Sequence, residues 1–301
     1  MILTILSAAL IPGNLKAENS DSTGVPRWRK PAVWSIGAAG IAGTHTFLYS
    51  TWYSKYPKSK FHWLNDNAEW LQMDKAGHAW WSYFMTVNGA SAFRYAGYNR
   101  QKSALYAAGI TFAFQGLIEW QDGRSAQWGA SAGDLVANTA GVGFALWQSY
   151  RWGRPRIPFR ISFRATPIAP IRPTMFGSTF AERVLKDYNG QTYWVDLNPQ
   201  RMQVRPGWWP KWLGFSVGYG ANGMLGGHDN VWVDDNGLTH DYSSVARYRQ
   251  YFISPSISFG YVQSRNSLVR FLCFVTDRVR IPMPALEFNK PEGVRFHPVY
   301  W

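Results

Sequence analysis

The chain has 301 residues and a formal net charge of +13, yet only 16% of its residues are charged, well below the usual quarter, while Trp, Tyr and Phe supply 17%. A single cysteine, Cys273, excludes a disulfide framework, a paired-cysteine redox motif and a cysteine-based metal site. No lysine-rich arm or known nucleic-acid module is present, so the basic balance points to anionic lipid rather than nucleic acid, and the ring-rich composition suits a membrane interface.

Residues 1–17 read as an export signal, with an apolar stretch from Ile2 to Ile11, then Leu15-Lys16-Ala17 and a polar tract. The basic leading region of a signal is missing, and a plain tail is the alternative. With no cysteine near the start, anchoring through a lipidated N-terminal cysteine is not expected.

Residues 31–150 then predict a four-helix bundle. Four stretches lack Asp, Glu, Lys and Arg: Pro31 to Ser54, Ala76 to Phe93, Ser103 to Ile118 and Leu135 to Tyr150. The last three would be roughly 25 Å long as helices, slightly short for a bilayer core near 30 Å. All are diluted with Gly, Ala, Ser and Thr, and Gly129, Gly133, Ala137 and Gly141 make a small-residue row at spacing four. Alternate connections are basic: Arg27, Arg29 and Lys30, then Arg94, Arg100 and Lys102, then Arg151 to Arg164. That pattern fits an up-down bundle with one positive side at a membrane; a soluble or peripheral bundle with solvated loop charges is the alternative.

Residues 151–176 form an Arg/Pro-rich linker, and 177–301 a short helix near Phe180 to Asp187 followed by antiparallel strands. Apolar and small residues alternate over Trp212 to Gly220 and Tyr251 to Tyr261, with shorter strand candidates at Tyr193 to Leu197 and Leu268 to Thr276. The alternation and the ending Phe296 to Trp301 resemble outer-membrane strands, but so few strands cannot close a barrel. The fold class is therefore α+β: a membrane-associated four-helix bundle, then an aromatic-rich antiparallel β region.

Polar residues gather at helix ends. Asp74 and His78 share a face at spacing four, with Lys75 between them; Gln115 and Glu119 do the same, with Asp122 and Arg124 just beyond; Ser131, Asp134 and Asn138 run along one face of the last helix. In an antiparallel bundle these three groups converge at one end. Helix capping by Asp74, a capping box at Ser131 and Asp134, and ion pairing of Arg124 with Asp122 or Glu119 account for part of the pattern. His78, Glu119 and Asn138 are less easily explained that way, because ionisable groups on such helices are functional candidates. His78 with Glu119 and Asp134 could bind a divalent metal, or His78, Glu119, Asp122 and Asp134 could act as acid and base. A satisfied polar network that holds the helices in register is the competing reading.

Three motif matches carry less. Gly129 to Gly133 fits the pattern of a nucleophilic serine at Ser131, but no apolar strand precedes it. Gly218, Gly220 and Gly223 fit a dinucleotide pattern without opening a helix, and Asp234 to Gly237 reads as a hairpin turn.

The set Asp74-Lys75-x-x-His78, Glu119-x-x-Asp122-Gly123 and Ser131-x-x-Asp134-x-x-x-Asn138-x-x-Gly141 resembles the YfiM-like family of uncharacterised, predicted periplasmic lipoproteins. It is more distantly similar to VanZ-like membrane proteins, which share the order Asp-Lys…His, Glu…Arg, Ser…Asp…Asn. The resemblance covers about residues 70–145, and the region from Lys186 to Trp194 resembles longer members in Gram-negative bacteria. It implies a Gram-negative cell-envelope protein, with the outer membrane or periplasm favoured and the inner membrane as the alternative, and no settled biochemistry. The expectation is an accessory, structural or ligand-binding envelope protein that meets anionic lipid and an envelope protein partner; the alternative is an enzyme acting on a lipid-linked or cell-wall substrate.

Overall fold

The computed structural model describes residues 24–301 except 55, 205, 206, 235, 260, 261, 263 and 265, and, for side chains, also 267 and 270. The export-signal expectation at 1–17 lies outside the described residues. The chain divides into two compact units. One holds the chain up to Asp66 with His78–Arg156 and Gln263–Phe274; the other holds Asn67–Gly77, Ile157–Val262 and Val275–Trp301.

The helical unit follows the expected apolar stretches. Helices α1 (Arg29–Leu48), α2 (Met73–Tyr95), α3 (Arg100–Asp122) and α4 (Ala132–Trp152) are present. Asn99 caps α3 by accepting from the Lys102 amide at 2.8 Å, and Gly153, with φ of 74°, stops α4 in a left-handed cap. From His78 onward, α2 interlocks with α3 and α4. A Cβ at Gly141 of α4 would lie 2.1 Å from the Ala79 carbonyl oxygen of α2, so only glycine permits this approach. Helix α1 lies along the others through Val33, packed with Ala90, Phe93, Ala96 and Ala107, and through Trp34, which donates to the Tyr98 hydroxyl at 3.1 Å. The polar site is thus enclosed by three helices, with the first one flanking them. Among the described residues no helix is long and apolar enough to cross a membrane, so the expected transmembrane helices are corrected: small and polar side chains dilute every one of them.

Among the described residues the β unit forms a six-stranded antiparallel sheet of order β1-β2-β3-β6-β7-β8 with a separate hairpin β4-β5. The strands are β1 (Phe159–Phe163), β2 (Gln191–Leu197), β3 (Leu213–Asn222), β4 (Val231–Val233), β5 (Thr239–Asp241), β6 (Tyr248–Ile257), β7 (Met283–Asn289) and β8 (Gly293–Tyr300). The short helix falls at α5 (Phe180–Lys186), opened by a capping box between Thr179 and Glu182. Two expectations change. The 151–176 segment, read as a linker, contains β1, whose Arg160 turns inward to Asp196 at 2.8 Å. Leu268 to Thr276, read as a strand, is helix α6 (Ser267–Thr276): Leu268, Phe271, Leu272 and Val275 follow helical rather than alternate spacing.

The sheet's polarity is inverted. Strand β3 buries Gly214, Ser216, Gly218 and Gly220 and exposes Phe215 and Val217; β6 buries Gln250, Ser254 and Ser256 and exposes Tyr251 and Ile253. The inner side is filled by Trp194, Phe252, Ala285 and Tyr300 and by a polar network. There Asp196 accepts from Arg160, from Ser216 and, at 2.7 Å, from Ser256, while the Arg280 guanidinium lies 3.7 Å from the centre of the Trp194 ring. The same ring stands where a Cβ on Gly218 would be, 2.6 Å away, which explains a glycine in the middle of the longest strand pair.

Candidate functional site

The site lies at one end of α2, α3 and α4 and is assembled around Asn138. Its buried Oδ1 accepts from Ser82 at 2.9 Å, from Gln115 Nε2 at 2.7 Å and from His78 Nδ1 at 3.2 Å. Its amide nitrogen donates to Glu119 Oε1 at 3.3 Å. Because Oδ1 can only accept, His78 Nδ1 is the donor in this contact and Nε2 is the ring nitrogen left for another partner. That nitrogen is 3.9 Å from Asp134 Oδ1, and Nδ1 is 3.7 Å from Glu119 Oε1.

A second layer comes from the loops. Residues 59–64 run against the α3–α4 connection, with Ser59 and His62 amides donating to the Arg124 and Gly123 carbonyls, and Leu64 to Ala130, each at 2.9 Å. This zipper delivers Asp66 to Ser131, whose hydroxyl donates to Asp66 Oδ1 at 2.5 Å. The same hydroxyl accepts from the Asp134 amide at 3.1 Å, and the Ser131 amide donates to Glu119 Oε2 at 3.2 Å. Ser131 is therefore the N-cap of α4, the first half of the expected capping box, while its own amide goes to Glu119. Tyr53, just after α1, donates to Asp122 Oδ1 at 2.8 Å.

Burial sets the electrostatics. Desolvation raises the Glu119 carboxyl to about 7; His78 opposes the rise, the nearby Asp134 adds to it, and the Ser131 amide opposes it. Asp122 is likewise raised by desolvation to about 7, with the Tyr53 hydroxyl opposing and Asp134 and Asp66 adding. Tyr53 is itself held neutral by burial and by the Asp122 charge. Burial thus raises two carboxyl groups toward neutrality, and one of them, Glu119, adjoins the half-buried His78 imidazole. One nitrogen of His78 and one oxygen each of Glu119 and Asp134 lie within 4.8 Å of one another, a spacing from which one metal ion could be held.

Of the residues predicted from sequence, His78, Gln115, Glu119, Ser131, Asp134 and Asn138 come together in the helical unit. Asp122 sits one turn beyond Glu119 and is held by Tyr53. Arg124 instead lies over the Trp120 ring at 5.3 Å. Asp74 and Lys75 belong to the β unit's part of α2 and pair with each other at 2.9 Å. Sequence reasoning missed Ser82, Tyr53 and Asp66 as members of the site. Ser82 stands four residues after His78 and was findable from helical spacing; the other two depend on loop paths that no periodicity encodes.

The entry into α2 is strained. Trp70, Leu71 and Gln72 have φ of 49°, 50° and 66°, three successive side-chain-bearing residues in the left-handed region. Contacts within the β unit hold them there: the Trp70 amide donates to the Gly227 carbonyl at 2.8 Å, the Tyr219 hydroxyl donates to the Leu71 carbonyl, and the Trp70 ring packs on Phe176 and Tyr188.

Residues 62–149 match the model of a family described as predicted periplasmic lipoprotein (DUF2279). The match supports a place among uncharacterised proteins of the cell envelope. It takes in every site residue named above except Tyr53 and Ser59. No curated protein and no solved structure matches the chain.

Proposed function

We propose that the helical unit binds one divalent cation through His78, Glu119 and Asp134, in an accessory protein of a Gram-negative envelope. The observation that carries this reading is the convergence of one imidazole nitrogen and two carboxylate oxygens within 4.8 Å, on an imidazole whose orientation Asn138 fixes. A mixed nitrogen and oxygen set suits zinc or manganese better than calcium or copper(I). The oriented imidazole is the support that metal-ligating histidines ordinarily have. The resemblance to YfiM-like and VanZ-like proteins rests on these same positions and favours the outer membrane or periplasm.

Thermal unfolding of metal-free protein with and without added zinc or manganese tests the proposal. At a hundredfold excess over the dissociation constant, the melting temperature should rise by about 5 °C in wild type and not in His78→Ala. No rise in wild type, or the same rise in the variant, defeats the metal reading.

A second reading is favoured by the two carboxyl groups raised to about 7: general acid–base chemistry on a lipid-linked or cell-wall substrate, with His78, Glu119, Asp122 and Asp134 as the proton-carrying groups. Under it, Glu119→Gln and Asp122→Asn abolish turnover while leaving the fold intact.

A further inference from the structure

We propose that the outward side of β3, β6, β7 and β8 is a lipid-contact face that seats against the acyl chains of one leaflet of an anionic membrane. The proposal stands independently of the metal reading, since it concerns the other unit. Its first support is the inverted polarity. A sheet face that merely lacks a cover hides its apolar side and wets its polar one; here Asp196 with Ser216 and Ser256, and Gln250 with Glu287, are bonded inside beside Trp194, Phe252 and Tyr300, while Phe215, Val217, Ile253, Leu286 and Phe296 stand outside.

The outward residues form continuous cross-strand rows. Val217 pairs with Ile253, Ile253 with Leu286 and Leu286 with Phe296, and the neighbouring row runs through Phe215 and Pro255. Ile253 is 52% exposed and Phe296 62%. Between the rows and Trp209 lies an open apolar groove of about 430 Å³. Contiguous exposure of this kind is uncommon on a protein that faces water alone.

The second support is the fringe. At one end of the face stand the exposed Trp208, Trp212 and Trp301 with exposed Lys211; at the other, Arg249 ends the outward row of β6 and Lys290 follows β7. Rings at the interface and cations toward phosphates are the arrangement that complements an anionic bilayer. From Leu213 to Tyr219 the face is roughly 20 Å long, enough for one leaflet and short of a full crossing. Among the described residues no further strand pairs with the outer edge of β8, and backbone groups left open there would be costly in hydrocarbon, so the sheet dips into the surface rather than spanning it.

Flotation of the full chain with vesicles tests this. Wild type should float with phosphatidylcholine vesicles containing 30% phosphatidylglycerol, and the double variant Ile253→Asp/Phe296→Asp should lose at least tenfold in bound fraction, while Leu238→Asp, exposed on the β4–β5 hairpin, should float as wild type does. The thermal melt of the double variant should match wild type, because both positions are exposed. As a reading that tolerates a folding defect, Phe296→Cys in a Cys273→Ser chain, labelled with an environment-sensitive fluorophore, should shift its emission to the blue on adding the same vesicles. A wild type that stays unbound, a double variant that floats undiminished, an unshifted emission, or a dimer in light scattering that the double variant dissolves each overturns the lipid assignment.

Discussion

Asn138 turns His78: its Oδ1 accepts from the imidazole Nδ1 at 3.2 Å, leaving Nε2 to face Asp134 at 3.9 Å. One side chain thereby ties α2, α3 and α4 together and orients the only histidine that reaches Glu119 and Asp134 among the described residues. Replacing Asn138 by Ala leaves buried Ser82 and Gln115 polar groups without this acceptor. The variant should lose about 2–4 kcal/mol of stability in urea unfolding, and its zinc affinity should fall 10–100-fold. Unchanged affinity in a folded variant would detach His78 orientation from metal binding.

The carboxyl groups give a pH dependence whose sign is fixed. Glu119 and Asp122 are raised to about 7 from 4.5 and 3.8. Between those values the native state holds protons that the unfolded chain has released, so their contribution to stability is full below the unfolded values and is lost as pH rises through 7. Chelator-treated wild type should therefore be less stable at pH 8 than at pH 5, and the double variant Glu119→Gln/Asp122→Asn should show a flatter profile. Equilibrium unfolding at the two pH values measures it, and a wild type that gains stability on going to pH 8 contradicts the assignment.

Gly141 provides a packing test apart from the polar groups. Gly141→Ala forces a methyl group against the Ala79 carbonyl, so α2 and α4 must separate. The expected cost is about 3 kcal/mol in thermal or urea unfolding, against a small effect for Gly143→Ala, where a Cβ meets open space.

In the β unit, Asp196 holds Arg160, Ser216 and Ser256 inside the sheet. Asp196→Ala removes the nearest carboxylate from the buried Arg160, leaving it only Asp277 at 3.7 Å and the Ile257 carbonyl, and should cost about 3 kcal/mol. A loss below 1 kcal/mol would mean that the inner side is wet and the inversion of polarity is only apparent.

Helix positions were legible because charge-free stretches with helical spacing leave one solution: Ala76 to Phe93 became Met73–Tyr95, and Leu135 to Tyr150 became Ala132–Trp152. The convergence of His78, Glu119, Asp134 and Asn138 followed from the same spacing plus antiparallel order. Strands β3 and β6 were legible from alternation, but alternation does not say which side meets water, and here the small residues went inward. Strand β1 was hidden by flanking prolines and by Arg160, a residue that reads as a loop charge until Asp196 is seen opposite. The left-handed turn at Trp70 to Gln72 has no local signature at all, since contacts from Gly227 and Tyr219, some 150 residues later, hold it. Asp66 and Tyr53 were invisible as site members for the same reason.

The most direct test of the central claim is calorimetric titration of chelator-treated wild type, His78→Ala and Asp134→Asn with zinc at pH 7.5, repeated in two buffers of different ionisation heat to count released protons. The proposed site predicts one zinc per chain, release of protons from Glu119 or Asp122, and at least a tenfold weaker constant in each variant. Absence of binding in wild type, or equal binding in all three, would contradict it.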